Sequence, residues 1–303
     1  MTTRSKVFSA LLLGVTVPYA AVHEHPGGKE IPHDRYIRVV SEADSPVERV
    51  YVKSRDGVYV AAAMRKPKGD GPFPVLIYFH GAPGGRGIEQ LVQWSSGSTG
   101  GPVWERFLKE GFVVVVADYR NPKDLWAPVA TGEATYVDDG LAVVNYVRRL
   151  PYADSNRITL YGVSLGGSVV AHVIGRTKVH SAILGAPAVR AVLGSTVPKD
   201  DKSPDFAKNI AIDEALAKKN IDAIQTPVLI LQGGADSLKY EARIFHDLMD
   251  KAGKPVRMDI YENGYHDFCA GPQGQNRHEP LMDSTLAALD LSLAFVRAPS
   301  GQQ

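Results

Sequence analysis

Apolar runs of strand length alternate with helix-like segments along most of this 303-residue chain. The run at 112–117 is apolar at every position, which is typical of a strand buried on both faces of a parallel sheet. The first two runs flank Arg55-Asp56-Gly57, a turn signal that predicts an antiparallel hairpin. The predicted strands lie at 47–52, 58–63, 73–79, 112–117, 157–162, 180–184, 227–231 and 256–261. The predicted helices lie at 103–110, 138–149, 167–175, 239–252 and 281–297.

This order of elements predicts the fold class. An antiparallel pair followed by repeated strand–helix units is typical of an α/β protein with a mostly parallel, eight-stranded sheet and helices on both faces. Right-handed crossovers place the carboxyl ends of the strands on one edge, where we expect a site. We predict one domain over residues 46–298, preceded by an N-terminal extension at 23–45. The segment at 186–226 is short and polar, so we expect little or no cap over the site.

A Gly-x-Ser-x-Gly pattern, Gly162-Val163-Ser164-Leu165-Gly166, stands between a predicted strand and a predicted helix. This setting predicts a nucleophile elbow, a tight turn that presents a serine hydroxyl at the edge of a sheet. The glycines matter because a side chain at either position would collide with the neighbouring strand or helix. The helix that begins beside Ser164 also directs backbone N–H groups toward developing negative charge. We predict that Ser164 is a catalytic nucleophile, and the alternative is a plain Gly-Ser turn.

A serine nucleophile needs a base, and the base needs an orienting acid. Asp236 follows a predicted strand on a glycine-rich turn, and His266 lies in the loop after the last predicted strand. The chain order Ser, Asp, His is the one expected for a nucleophile elbow, so we predict the triad Ser164, Asp236 and His266. Two alternatives stay open: Asp236 could serve only as a helix cap, and Asp267 is a rival acid.

A tetrahedral intermediate would need two backbone N–H donors for its oxyanion. We predict that one is the N–H of Leu165, which follows the nucleophile, and that the other comes from the loop after the third strand. In that loop Pro83 has no N–H, so Ala82 is the best donor, and His80 would brace the loop. Candidates for the lining of the substrate pocket are His80, Trp94 and Trp126.

Composition and charge narrow the possible partners. Hydrophobic residues make up 44% of the chain and charged residues 22%, which is ordinary for a soluble globular enzyme. The formal net charge is +1, and no run of Lys or Arg occurs, so nothing predicts a nucleic-acid partner. Cys269 is the only cysteine, which excludes an intramolecular disulfide.

The N-terminus has the pattern of a secretory signal peptide. Arg4 and Lys6 precede an apolar run at 7–17, and the small residues Ala20-Ala21 follow. The apolar run is too short for a stable membrane span. We predict a signal peptide at 1–22 and a periplasmic or secreted protein. The alternative is a cytoplasmic protein whose N-terminal segment is not a signal peptide.

Several further motifs give the chain a family resemblance. They are His80-Gly81 with Pro83, Ala117-Asp118-Tyr119-Arg120, Pro151-Tyr152-Ala153-Asp154 before Arg157-Ile158, Gly162–Gly167, Gly233–Asp236 and Tyr265-His266. In this combination the chain resembles an α/β-hydrolase, and within that group the catalytic domains of prolyl oligopeptidase-like serine hydrolases and related esterases. The resemblance covers about residues 46–298 and implies that Ser164, Asp236 and His266 form the triad. The chain has His-Gly-Ala-Pro where the family commonly has His-Gly-Gly-Pro.

These features predict a carboxylesterase-like serine hydrolase that cleaves small-molecule esters through an acyl-enzyme. We expect neither a metal ion nor an organic cofactor. The alternatives are an exported peptidase or amidase, and a non-catalytic binding protein on the same fold. The family's peptidases carry a large N-terminal propeller, whereas only about 25 to 45 residues precede the first predicted strand here. No Glu-Glu pair is present to anchor a peptide terminus, so the sequence favours esters.

Overall fold

Nine strands form the central sheet in a computed structural model that describes residues 22–25, 30–32, 40–95, 101–122, 127–129, 135–195, 210–270 and 280–298. The strands in these ranges are β1 (Val22–His25), β2 (Glu30–Pro32), β3 (Glu48–Lys53), β4 (Tyr59–Arg65), β5 (Phe73–Phe79), β6 (Val113–Ala117), β7 (Ala153–Val163), β8 (Ser181–Gly185), β9 (Val228–Gly233), β10 (Val256–Tyr261) and β11 (Pro280–Met282). Their order across the central sheet is β1-β10-β9-β8-β7-β5-β6-β4-β3. Neighbouring strands run parallel except at β4, which pairs antiparallel with both β6 and β3. A separate antiparallel pair joins β2 and β11.

Helices cover both faces of the central sheet. The helices of the described ranges are α1 (Ile88–Ser95), α2 (Pro102–Lys109), α3 (Tyr136–Val147), α4 (Leu165–Ile174), α5 (Arg190–Leu193), α6 (Glu214–Asp222), α7 (Lys239–Lys251) and α8 (Asp283–Arg297). Local sequence fixes where helix α3 begins: it starts at a capping box formed by the side chains of Thr135 and Asp138, which satisfy backbone N–H groups of the first turn.

The side chains of β6 show how the sheet is buried. Val113 and Val115 belong to one apolar cluster, which also contains residues of α3 and α4. Val114 and Val116 belong to a second cluster, which contains residues of α1 and α2. Because alternate residues of a strand face opposite sides, a strand covered on both faces is expected to be mostly apolar, as β6 is. The predicted α/β architecture, a mostly parallel sheet with helices on both faces, is confirmed.

The predicted number of strands is wrong by one, because β1 adds a ninth strand to the expected eight. It pairs in parallel with β10 at one edge of the sheet. Its residues, Val-His-Glu-His, lack the apolar alternation that indicates a strand. Contacts across the sequence hold β1 instead: His25 Nε2 lies 2.7 Å from Asp259 Oδ1, and the His25 ring stacks on Tyr261 at a centroid distance of 4.3 Å.

The N-terminal predictions fall largely outside the described residues. Of the predicted signal peptide at 1–22, the structure describes Val22 alone, and this residue begins β1. Strand β2 and the other described parts of the extension at 23–45 precede the catalytic domain predicted at 46–298, and these boundaries stay predictions. No helix of the described ranges is both long and apolar enough to cross a membrane.

Candidate active site

Ser164 lies in a strained turn between β7 and α4. Its φ of 54° is a positive value, which a non-glycine residue adopts only when the surrounding structure enforces it. The enforcement comes from close packing: a Cβ atom on Gly162 would overlap the carbonyl group of Gly166, and one on Gly166 would overlap the Phe79 carbonyl oxygen. The Ser164 N–H donates to the carbonyl oxygen of Gly185 at 2.9 Å, which ties the turn to β8. The structure therefore has the predicted elbow conformation at Ser164.

The structure brings Ser164, His266 and Asp236 together in one hydrogen-bonded chain. His266 Nε2 lies 2.9 Å from Ser164 Oγ, and His266 Nδ1 lies 3.0 Å from Asp236 Oδ2. A carboxylate can only accept, so Nδ1 carries the proton and Nε2 is left to accept from the serine hydroxyl. The three residues follow β7, β9 and β10, whose carboxyl ends meet at the same edge of the sheet.

The Asp236 carboxylate is buried and held by two further donors. The side-chain amide of Gln232 donates to Oδ2 at 2.9 Å, and the N–H of Leu238 donates to Oδ1 at 3.0 Å. The bond from Leu238 closes a turn before α7, but Asp236 is not the cap of that helix, because the N-cap position is Leu238, which makes no side-chain capping hydrogen bond. The contact between Gln232 and Asp236 was not predicted, because the spacing of the two residues in the sequence does not show that their side chains meet.

The electrostatics of His266 depend first on Asp236. Its hydrogen bond to Asp236 raises the pKa of His266, burial of the ring opposes this, and the negative charges of Asp236 and Asp267 add to the rise. Asp236 therefore stabilises the protonated imidazole, which is the form that a general base takes after it accepts a proton. The rival acid Asp267 acts on His266 through its charge, whereas the hydrogen bond at Nδ1 goes to Asp236.

The two predicted oxyanion donors belong to segments next to the nucleophile. Leu165 is the first residue of α4, and Ala82 follows Gly81, whose Cβ position would lie 3.4 Å from the Cβ of Ser164. Among the described residues, neither the Leu165 N–H nor the Ala82 N–H donates to a protein acceptor. Both N–H groups therefore stay candidates for the oxyanion hole, which needs donors without a protein acceptor.

The prediction that His80 lines the pocket needs correction. Its side chain is 1% exposed, and its Nδ1 lies 2.7 Å from the Gly81 carbonyl oxygen while its Nε2 lies 3.2 Å from Asp118 Oδ1. The ring also stacks on Tyr119 at a centroid distance of 4.8 Å. These contacts fit the other role predicted for His80, which is to brace the loop, and they leave its side chain away from the pocket.

The two tryptophans proposed for the pocket have different outcomes. Trp94 is buried, and its ring meets His80 edge-on with the ring centroids 5.4 Å apart. The guanidinium of Arg86 covers the same ring at 5.7 Å. A role for Trp94 in substrate binding stays a prediction, and Trp126 lies outside the described residues. Across the described ranges, no group of three or more His, Cys, Asp or Glu side chains is arranged to hold a metal ion.

The sheet topology and the site together define the class of protein as one with the α/β-hydrolase fold. A putative dienelactone hydrolase from Klebsiella pneumoniae superposes with a TM-score of 0.58 at 15% identity, covering 84% of this chain and 99% of that one. Esterase 2 of Thermogutta terrifontis superposes with a TM-score of 0.57 at 22% identity, covering 82% of this chain and 93% of the esterase. Structural similarity at such low sequence identity shows that the fold is shared.

The sequence places the chain more narrowly. A model of the prolyl oligopeptidase family, Peptidase_S9, matches residues 104–289, and the chain belongs to this family. Acyl-coenzyme A thioesterase 1 of Mus musculus is 28% identical over 211 residues, which are 68% of this chain and 45% of the thioesterase. The chain spans less than half the length of the acyl-coenzyme A thioesterases that it matches. The family resemblance predicted from the motifs is confirmed.

Proposed function

We propose that the protein is a serine hydrolase that cleaves carboxylic esters through an acyl-enzyme intermediate. The observation that carries this proposal is the hydrogen-bonded chain from Ser164 Oγ through His266 to Asp236, with distances of 2.9 and 3.0 Å. A serine hydroxyl is a weak nucleophile until a positioned base accepts its proton, and His266 is placed to be that base. The N–H groups of Leu165 and Ala82, which have no acceptor among the described residues, would supply the second requirement, which is stabilisation of the oxyanion.

The reaction follows from these positions. Ser164 Oγ attacks the ester carbonyl carbon while His266 Nε2 takes its proton, and the carbonyl π-electron pair moves to oxygen. The N–H groups of Leu165 and Ala82 bind the resulting oxyanion. His266 then gives its proton to the departing alkoxide, and an alcohol and the acyl-enzyme remain. Water repeats the sequence with His266 as base, which releases the acid and restores Ser164.

The exposure of His266 favours esters over amides as substrates. The side chain of His266 is 46% exposed, so water can reach the acyl-enzyme directly. An amide has a poorer leaving group and needs more positioning through remote contacts before it reacts at a useful rate. Acyl thioesters belong among the candidate substrates because one relative carries the name acyl-coenzyme A thioesterase.

A peptidase or amidase is the second candidate, and membership of the prolyl oligopeptidase family favours it. A substrate panel separates the candidates: p-nitrophenyl esters of increasing acyl length, acyl-coenzyme A thioesters, and aminoacyl and dipeptidyl anilides. We expect the highest kcat/KM on an ester or thioester of short to medium acyl length. A dipeptidyl anilide that matches the best ester would replace the esterase proposal with the peptidase proposal.

Replacement of Ser164 tests whether any of these reactions uses the proposed nucleophile. Ser164→Ala should lower kcat by about 10³-fold or more, because the enzyme then lacks the atom that is acylated. Ser168→Ala is the matched control, since Ser168 is a buried serine one turn along the same helix. A fluorophosphonate should label the wild type and the control at Ser164, as peptide mass spectrometry can verify. Labelling at another serine would remove Ser164 from this role.

We also propose that the protein is exported to the periplasm or secreted. Arg4, Lys6 and the apolar run at 7–17 support this proposal, and removal of the segment near Ala20 or Ala21 would leave β1 complete from Val22. Mass spectrometry of protein from the native host provides the test. We expect a mature chain that starts near residue 21 or 22, whereas an intact Met1 or Thr2 start on cytoplasmic protein would contradict export.

A further inference from the structure

The carboxylate of Asp118 joins distant parts of the loop between β5 and α1 (residues 80–87). Asp118 follows β6 and is buried. Its Oδ1 accepts from the N–H groups of Gly85 at 2.9 Å and Tyr119 at 2.8 Å, and His80 Nε2 lies 3.2 Å from the same oxygen. Its Oδ2 accepts from the Gly87 N–H at 2.8 Å. One carboxylate therefore holds the residue that begins the loop and two residues near its end.

Asp118 remains able to accept all of these bonds because it is ionised. Burial raises the pKa of Asp118, but the hydrogen bonds from His80 and from the backbone of Gly87 and Tyr119 outweigh burial and bring the pKa below its ordinary value. An ionised carboxylate offers acceptor sites on both oxygens, whereas an amide of the same size offers them on one. The surrounding donors thus select a carboxylate at this position.

A second contact holds the middle of the same loop. The side-chain Oδ1 of Asn121 accepts from the Gly84 N–H at 2.7 Å. The Gly85 N–H is shared with the Tyr119 carbonyl oxygen at 2.8 Å, and a Cβ atom on Gly84 would overlap that oxygen. The far half of the loop therefore lies directly against residues 118–121.

The near half of the loop lies against the nucleophile. The Tyr119 hydroxyl donates to the His80 carbonyl oxygen at 2.6 Å, and the Cβ position of Gly81 is 3.4 Å from the Cβ of Ser164. Ala82 stands between these two anchored halves, and its N–H is one of the two donors assigned to the oxyanion. The direction of that N–H depends on the contacts that fix the residues before and after it.

We propose that Asp118 is a positioning residue for the oxyanion hole: it fixes the β5–α1 loop so that the Ala82 N–H meets the oxyanion formed at Ser164. This inference rests on the proposed hydrolase function. Asp118 does not contact substrate in this role and acts through the loop. It contributes mainly in the transition state, because the oxyanion is absent from the bound ester.

The test uses Asp118→Asn in the full chain with a p-nitrophenyl ester. In one orientation the new NH₂ group faces the N–H groups of Gly85 and Tyr119, and in the other it faces the N–H of Gly87. Either way, two donors face each other and the loop loses a hydrogen bond to Asp118. We expect kcat to fall by about 10- to 100-fold, which is the effect of a small misplacement of a catalytic group, while KM changes by less than about threefold. The inhibition constant of an alkyl boronic acid, which forms a tetrahedral adduct with the serine, should rise in parallel.

Two readouts separate positioning from general destabilisation. Asp259→Asn is the matched control, since Asp259 is also a buried carboxylate with several donors but lies on β10 against His25 and Arg257. It should lower the free energy of unfolding and leave kcat and the boronic acid constant near wild type. The acidic limb of the pH profile should stay in place in Asp118→Asn, because His266 and Asp236 keep their contacts.

A second pair of variants keeps the test valid if Asp118→Asn folds poorly. Asn121→Ala removes the acceptor for Gly84 and should lower kcat in the same direction by about 3- to 10-fold, whereas Asn121→Asp retains the acceptor and should stay near wild type. Wild-type kcat and inhibitor binding in folded Asp118→Asn, or equal losses in the Asp259 control, would overturn the inference. An inactive wild type that no fluorophosphonate labels would instead remove the proposed function itself.

Discussion

Asp236→Asn tests the proposed triad most directly, because the structure specifies what each orientation of the new amide would do. With its oxygen retained toward Leu238, the NH₂ group would face His266 Nδ1 and the Gln232 amide, both of which now donate to Asp236 Oδ2. The NH₂ group would then donate to Nδ1 and move the imidazole proton to Nε2. Ser164 would lose its base, because Nε2 could no longer accept the hydroxyl proton.

The opposite orientation of the amide keeps an acceptor for His266 but is energetically unfavourable. The NH₂ group would then face the Leu238 N–H, two donors in a buried space where Asp236 is only 5% exposed. By analogy with triads in which this substitution selects the wrong tautomer, kcat should fall by about 10⁴-fold. That loss corresponds to about 5 kcal/mol of transition-state stabilisation. The fold should survive, since the substitution preserves the size of the side chain.

The pH profile gives an independent measure of the same contact. The hydrogen bond to Asp236 is the largest cause of the raised pKa of His266, and the base must be unprotonated to act. Loss of Asp236 lowers that pKa, so the acidic limb of kcat/KM should move to lower pH in the residual activity of Asp236→Asn. Asp267→Asn should move it in the same direction but less, because Asp267 acts through its charge alone.

The assay is hydrolysis of one p-nitrophenyl ester from about pH 5 to 9, with Asp236→Asn and Asp267→Asn measured beside the wild type. Asp267→Asn is the matched control because it removes a carboxylate from the residue next to the base. A larger loss in Asp267→Asn than in Asp236→Asn would reassign the acid. Near-wild-type kcat in Asp236→Asn would refute the reasoning from tautomers altogether.

Two further predictions concern stability. Gly166→Ala should lower Tm and soluble yield because its Cβ would overlap the Phe79 carbonyl oxygen, whereas Gly175→Ala, with its Cβ no closer than 3.5 Å to its neighbours, should be tolerated. Burial lowers the pKa of His172 from 6.5 to about 4, so the wild type should lose up to about 3 kcal/mol of stability as pH falls through this window, and less if solvent screens the partly exposed ring. Denaturant unfolding at pH 7 and pH 4.5 should show a smaller loss in His172→Gln, and equal losses would contradict this account.

The elbow and its partners could be predicted because their positions follow from local sequence and topology. Strand ends of a parallel sheet meet at one edge, so the loops that carry Asp236 and His266 were expected at the edge where Ser164 lies. Strand β1 could not be predicted in this way. Its pairing depends on His25 meeting Asp259, residues separated by 234 positions, and its own sequence carries no strand pattern.

The sequence predicted that His80 braces the loop that carries Ala82, but the part that Asp118 takes in holding this loop could not be predicted, for a related physical reason. His80 and Asp118 are polar residues that follow apolar strands, and sequence alone favours placing such residues in a site. Which of them faces the substrate depends on how two loops fold over each other. Here the loop at 80–87 offers several backbone N–H groups that need acceptors, and the Asp118 carboxylate satisfies them. The polar pair is therefore buried against the loop, and we propose that Ala82, a residue without polar side-chain atoms, meets the substrate through its backbone.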